Sequence, residues 1–121
     1  MAFDAPMKTL LRFEGACYAI AAFVIFWQHG FSWWLFALLI LVPDLSMLGY
    51  LVNTRVGAIC YNIMHTTLGP WALLFACYLR PSDWTLAIDM IWFIHIGLDR
   101  LLGFGLKYSS GFKDTHLSLQ A

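Results

Sequence analysis

Four long apolar runs dominate this sequence and limit what it can fold into. A helix of about twenty residues is roughly 30 Å long, which is enough to cross the hydrocarbon core of a bilayer. Short polar turns separate the runs. The pattern predicts an all-α integral membrane protein, with one domain formed by an up-down bundle of four transmembrane helices and a short polar tail. The helices are expected at about residues 10–28, 33–52, 56–79 and 84–106, and the tail at residues 107–121.

The composition agrees with an integral membrane protein and argues against a nucleic-acid-binding protein. Hydrophobic residues make up 61% of the chain and charged residues only 12%, whereas about a quarter of a soluble domain is charged. The formal net charge is zero, with 7 basic and 7 acidic residues. No basic surface is therefore expected to bind nucleic acid. The three cysteines lie in apolar runs without C-x-x-C spacing, so we interpret them as small buried side chains.

The basic residues indicate the orientation of the bundle. Six of them fall on one side of the predicted crossings, and Arg80 alone falls on the other. Because cytoplasmic loops carry the excess of lysine and arginine, both termini are predicted to be cytoplasmic. A secretory signal is the competing interpretation of the first run. Glu14 within that run, and the bulky residues that end it, favour a retained helix instead.

Ionisable residues inside the runs are expected at a similar depth. Measured along each helix from its cytoplasmic end, they lie roughly 6 to 16 Å into the bilayer. Neighbouring helices run in opposite directions, so no simple sequence spacing produces this agreement. It predicts one polar pocket that opens toward the cytoplasm. The residues are Glu14, Asp44, His65, His95 and Asp99.

These residue types are typical metal ligands. Two imidazoles and two carboxylates can bind one divalent transition metal such as zinc, iron or manganese. His95 and Asp99 are four residues apart and share a helix face, and Asp44 and His65 would join them from other helices. Glu14 is a candidate general base, and it could instead be a further ligand or a hydrogen-bond partner of a ligand. A metal that activates water in such a pocket would make the protein a hydrolase of a lipid-like or amphiphilic substrate.

A non-enzymatic alternative stays open. Buried polar side chains can simply hold helices together, contributing about 0.6–2 kcal/mol each. The protein would then have a structural, ligand-binding or transport role, and transport by four short helices would require a homo-oligomer. Arg100 is either an interfacial anchor or the partner of Asp99, and Asp89 lies too near the outer face to join the pocket.

The polar tail offers a further hypothesis. Lys107, Asp114 and His116 are predicted to fold back beneath the bundle and cover the mouth of the pocket. There they could bind an anionic head group or supply another ligand. The alternative is a solvated cytoplasmic end whose lysines face anionic lipid head groups.

Three sequence blocks resemble a known family. They are P-D-L-S-M-L-G-Y at 43–50, Y-N-x-x-H at 61–65 and the long block from His95 to Leu117. Together they are similar to the small bacterial integral membrane proteins called domain of unknown function four-two-six-zero. This resemblance implies a multi-pass protein of the bacterial inner membrane and brings no established activity.

A looser similarity links the chain to inner-membrane proteins assigned as metal-dependent hydrolases. Those proteins also place Pro-Asp in one helix, a histidine in another and His-x-x-x-Asp before a glycine-containing turn. The matching residues here are Asp44, His65, His95 and Asp99. After the first aspartate those proteins usually carry a further Asp or His, whereas this chain has Leu-Ser-Met. The similarity therefore implies one metal ion and not two.

Overall fold

The computed structural model describes residues 5–104 and residue 106, and within that part every regular element is helical. The prediction of an all-α fold is confirmed. Five α-helices and one 3₁₀ helix follow one another. They are α1 (Ala5–Gln28), α2 (Trp33–Leu39), the 3₁₀ helix (Val42–Leu51), α3 (Thr54–His65), α4 (Leu68–Leu79) and α5 (Asp83–Leu101).

The first and fourth apolar runs form one continuous helix each, α1 and α5. Side chains in the predicted turns start the helices that follow. Asn53 Oδ1 accepts a hydrogen bond from the Val56 N–H at 2.8 Å, and Ser82 Oγ accepts one from the Thr85 N–H at 3.4 Å. These are N-caps, which satisfy backbone N–H groups that have no partner within the helix.

The second run is not one α-helix, because Pro43 interrupts it. A proline ring clashes with the carbonyl four residues earlier, which here belongs to Leu39, the last residue of α2. The chain then continues as the 3₁₀ helix, in which the Asp44 N–H bonds to the Leu41 carbonyl at 3.0 Å. The single helix predicted at about residues 33–52 is therefore divided by a change of helix type at Pro43.

The third run, predicted as one helix at about residues 56–79, is also divided, one turn before Gly69 and Pro70. α3 ends at His65, and Thr66 is extended, with ψ of 147°. Pro70 lies in the first turn of α4, where its missing N–H costs no hydrogen bond. Its ring would clash with the carbonyl of Thr66 if the helix continued, so the break falls at that residue.

α1 and α5 cross at two glycines, Gly15 and Gly97. A Cβ atom built on Gly97 would lie 2.5 Å from the Gly15 carbonyl oxygen and 2.6 Å from the Ala19 nitrogen. The two backbones therefore approach as closely as glycine allows, as in small-residue helix pairs. Tyr18 and Phe93 stack farther along the same interface, with ring centroids 5.9 Å apart. This crossing was not predicted from the sequence.

Many large apolar side chains of the described residues are exposed, while several polar side chains are buried. Trp34, Leu51 and Tyr78 are 81%, 84% and 81% exposed, while His65 and His95 are buried. Two segments, Pro6–Gln28 and Trp33–Leu51, are long and apolar enough to cross a membrane. In the most apolar 18 residues of these segments, only 22% and 6% of the residues are buried. The core helix of a soluble protein, in contrast, is mostly buried. These two apolar helical segments could therefore span a bilayer.

The glycine crossing gives the first prediction. Gly97→Ala places a methyl group against backbone atoms of α1 that cannot move aside. We expect it to lower the free energy of unfolding in detergent by about 1–3 kcal/mol, the usual cost of overpacking. A thermal melt followed by circular dichroism measures the loss. Ala21→Val on the exposed face of α1 is the control and should melt with the wild type. Equal melting of both variants would contradict this account of the crossing.

Candidate metal centre

Four ionisable side chains from three helical elements meet at one point. Asp44 comes from the 3₁₀ helix, His65 is the last residue of α3, and His95 and Asp99 lie one turn apart on α5. We call these residues the Asp–His cluster. One ligand atom from each lies within 4.8 Å of the other three. The structure thus brings together the four residues that the sequence predicts as ligands.

The distances from each histidine nitrogen to the other ligand atoms of the Asp–His cluster are short and nearly equal. Asp44 Oδ1 lies 3.1 Å from His65 Nε2 and 3.0 Å from His95 Nε2. Asp99 Oδ2 lies 3.4 and 3.2 Å from the same two nitrogens. The two Nε2 atoms are 3.2 Å apart. Five of the six separations among the four atoms therefore fall between 3.0 and 3.4 Å.

Backbone carbonyls fix which nitrogen of each histidine faces the cluster. The Nδ1 atom of His65 lies 2.9 Å from the Tyr61 carbonyl, and that of His95 bonds to the Ile40 carbonyl. Because a carbonyl can only accept, each Nδ1 carries the hydrogen. In a neutral imidazole the Nε2 atom then presents a lone pair, as a metal-ligating histidine does.

The Ile40 carbonyl is available because of Pro43. In a continuous α-helix it would accept from the Asp44 N–H, but that group bonds to Leu41 instead. Its other local partner would be residue 43, which as a proline has no N–H. The change of helix type therefore places Asp44 in the cluster and also frees the carbonyl that orients His95.

The end of α3 is held by two side chains of α5. The indole N–H of Trp92 donates to the Met64 carbonyl at 2.7 Å, and Arg100 Nη2 donates to the His65 carbonyl at 3.3 Å. These carbonyls belong to the last turn of α3, where a cation is also favoured by the helix dipole. The Tyr61 ring stacks on the His65 imidazole, with centroids 3.7 Å apart and planes within 7°. His65 is thus held on its ring face and at its backbone.

The donor set fits a cation better than it fits hydrogen bonds alone. With both histidines neutral, two lone pairs and two carboxylate oxygens face one another without a hydrogen between them. With both protonated, two N–H groups would oppose each other across 3.2 Å. With only one protonated, its single Nε2–H can donate to one neighbour, and the remaining acceptors still face one another without a hydrogen. A tetrahedral ion with ligands at about 2.0–2.1 Å separates them by about 3.3 Å, and adjacent octahedral ligands are about 3.0 Å apart. The five separations that involve a histidine nitrogen match these values, and the two carboxylate oxygens lie within 4.8 Å of each other.

The remaining predicted residues have different outcomes. Glu14 is exposed on α1 and does not belong to the Asp–His cluster. Arg100 contacts the end of α3. Asp89 is fully buried, and neither carboxylate oxygen has a hydrogen-bond partner in the described part of the chain. The proposed pocket cover, Lys107, Asp114 and His116, lies outside the described residues.

Sequence reasoning missed three groups that support the histidines. They are the Tyr61 ring, the Trp92 indole and the Ile40 carbonyl. Tyr61 precedes His65 by one helical turn and Trp92 precedes His95 by three residues, so a search for aromatic residues one turn before each candidate ligand would have found both. The role of the Ile40 carbonyl could be seen only after the break at Pro43 was known.

The chain belongs to the family described as Domain of unknown function (DUF4260), whose family model matches residues 8–119. No curated protein and no solved structure matches the chain. The looser similarity to metal-dependent hydrolases therefore stays a prediction.

The fit of the Asp–His cluster to a cation gives the second prediction. Protein purified without a histidine tag or added metal should carry about one equivalent of a divalent transition metal, measured by elemental analysis. His95→Ala and Asp44→Ala should lose the metal and keep most of their helical circular dichroism. Asp89→Asn removes a carboxylate elsewhere on α5 and should retain the metal. Less than about a tenth of an equivalent in wild type, with none bound on titration, would refute the site.

Proposed function

We propose that this protein is a small multi-pass protein of the bacterial inner membrane that uses one metal ion to hydrolyse a lipid-like or amphiphilic substrate. The nearly equal separations within the Asp–His cluster are the observation that carries this proposal. Two imidazole nitrogens and two carboxylate oxygens suit zinc, iron or manganese. A divalent ion in such a site supplies Lewis acidity and activates water at neutral pH.

The exposure of the ligands indicates how substrate would reach the site. The side chains of His65 and His95 are only 3% and 5% exposed, while those of Asp44 and Asp99 are 34% and 22% exposed. Substrate would therefore approach from the carboxylate side. Each aspartate brings one oxygen into the cluster, so its second oxygen can accept a proton from an attacking water. We therefore propose Asp44 or Asp99 as the general base in place of the exposed Glu14.

The apolar exterior supports the membrane part of the proposal. Large apolar side chains are exposed on all the α-helices of the described chain, including Ile59 and Ile63 on α3. A soluble monomer rarely exposes so much apolar surface, whereas a lipid bilayer is a suitable surrounding for it. Four crossings with both termini in the cytoplasm would follow from the distribution of basic residues. The Asp–His cluster would then lie in the cytoplasmic half of the bilayer.

A structural role is the second candidate, because the same contacts join separate elements. His65, His95 and Asp44 connect α3, α5 and the 3₁₀ helix. If the cluster served only to join them, loss of one member would lower stability without any effect on metal content or turnover. One set of variants can therefore distinguish the structural role from the metal-dependent hydrolase role.

The hydrolase proposal gives the third prediction. Detergent-solubilised protein should hydrolyse medium-chain nitrophenyl esters or alkyl phosphoesters, lose this activity to a chelator and recover it with zinc, manganese or iron(II). Asp99→Ala should reduce turnover at least about a hundredfold, and Asp89→Asn should not. Activity should also fall on acidification, because protonated histidines cannot bind the metal. Unchanged turnover in metal-free protein would contradict the proposal.

Topology gives the fourth prediction. In a variant whose native cysteines are replaced by alanine, Ser82→Cys should react with a membrane-impermeant maleimide in intact spheroplasts. Asn53→Cys should react only after the membrane is permeabilised, because its turn would be cytoplasmic. The opposite labelling pattern, or equal labelling of both positions, would refute the proposed orientation.

A further inference from the structure

An apolar cleft lies beside the Asp–His cluster. Its volume is about 200 Å³. Side chains from the second apolar run, α3, α4 and α5 form its walls. The lining residues are Leu39, Val42, Pro43, Met64, Leu73, Ile88, Ile91 and Trp92.

Residues that line the cleft directly precede residues of the Asp–His cluster in the sequence. Pro43 directly precedes Asp44, and Met64 directly precedes His65. On α5, Trp92 lies about one turn before His95. The cleft is therefore the apolar continuation of the cluster, displaced along α5 toward the helix start. In the proposed membrane orientation it points from the cluster toward the middle of the bilayer.

The lining leaves no polar group for a second head group to bind. Only the Trp92 indole among the lining side chains carries a hydrogen-bond donor, and it already donates to the Met64 carbonyl. An alkyl chain would lose no hydrogen bonds here, whereas a polar group would remain unsatisfied. A cleft of about 200 Å³ has room for several methylenes of a single chain.

We propose that the Asp–His cluster and this cleft together bind an amphiphile through one alkyl chain. The anionic oxygen head group would bind at the cluster, and the chain would lie in the cleft. This inference rests on the proposed metal centre, since two carboxylates attract an anionic head group only when a cation lies between them. It narrows the substrate class to fatty acyl or alkyl compounds that present one chain to the site.

A second apolar groove provides a matched control. It has a volume of about 360 Å³ and lies between α1, α2 and α5. Its lining includes Ile20 and Phe23 of α1. Helix α1 contributes no residue to the Asp–His cluster. A bulky substitution at Ile20 therefore fills a larger apolar space without entering the proposed chain-binding cleft.

The experiment compares two ligands with the same metal-binding head group. Acetohydroxamate and octanohydroxamate are titrated into cobalt-loaded full-length protein, and the cobalt absorption spectrum reports binding. Free concentrations are corrected for measured partition into detergent micelles. Wild type should bind octanohydroxamate at least about tenfold more tightly, which corresponds to roughly two fully buried methylenes. Leu73→Trp should abolish this preference and leave acetohydroxamate affinity unchanged, while Ile20→Trp should preserve it.

The outcomes distinguish failure of the cleft proposal from failure of the metal-centre proposal. Absence of a cobalt spectrum in wild type would refute the metal centre itself. Cobalt binding with equal affinity for both hydroxamates would overturn the cleft proposal and leave the metal centre standing. A preference for octanohydroxamate that survives Leu73→Trp would overturn it as well. If Leu73→Trp does not bind acetohydroxamate, Ile88→Trp at the rim of the cleft replaces it, with the same expected result.

Discussion

The need to satisfy backbone carbonyls at two proline-induced breaks is the constraint on which the rest of this structure depends. Pro43 ends α2 and Pro70 forces the chain out of α3. In an apolar environment a carbonyl without a partner costs several kcal/mol. α5 supplies the partners. His95 bonds to the Ile40 carbonyl, and Trp92 and Arg100 bond to the carbonyls that end α3.

The Asp–His cluster follows from this arrangement. The breaks place Asp44 at the start of the 3₁₀ helix and His65 at the end of α3, so both side chains face α5. The groups that satisfy the backbone also orient the cluster, because His95 bonds to a carbonyl through Nδ1 and faces the two aspartates through Nε2. Stability and site geometry thus use the same hydrogen bonds. Damage to either break should therefore affect the cluster even where no ligand is changed.

α5 can serve these roles because α1 packs on its opposite side. Gly15 and Gly97 let the two backbones approach closely, and Ala19 contributes to the same contact. Van der Waals contact between small residues holds helix pairs together where lipid offers no hydrophobic driving force. The polar face of α5 remains available for the 3₁₀ helix and α3. One face of α5 thus packs against α1, and the opposite face carries the residues of the Asp–His cluster.

The sequence by itself determined the helical class, the positions of most turns and the identity of four residues that come together. Apolar runs of about twenty residues, capping residues such as Asn53 and Ser82, and costly ionisable groups inside those runs are local signals. Only the tertiary structure decided which carbonyls each break left free, that Glu14 stays outside the cluster, and that two glycines form the central crossing. These features depend on how separate helices are rotated and how closely they approach one another. Residue spacing within one apolar run does not determine the relative rotation or distance of two helices.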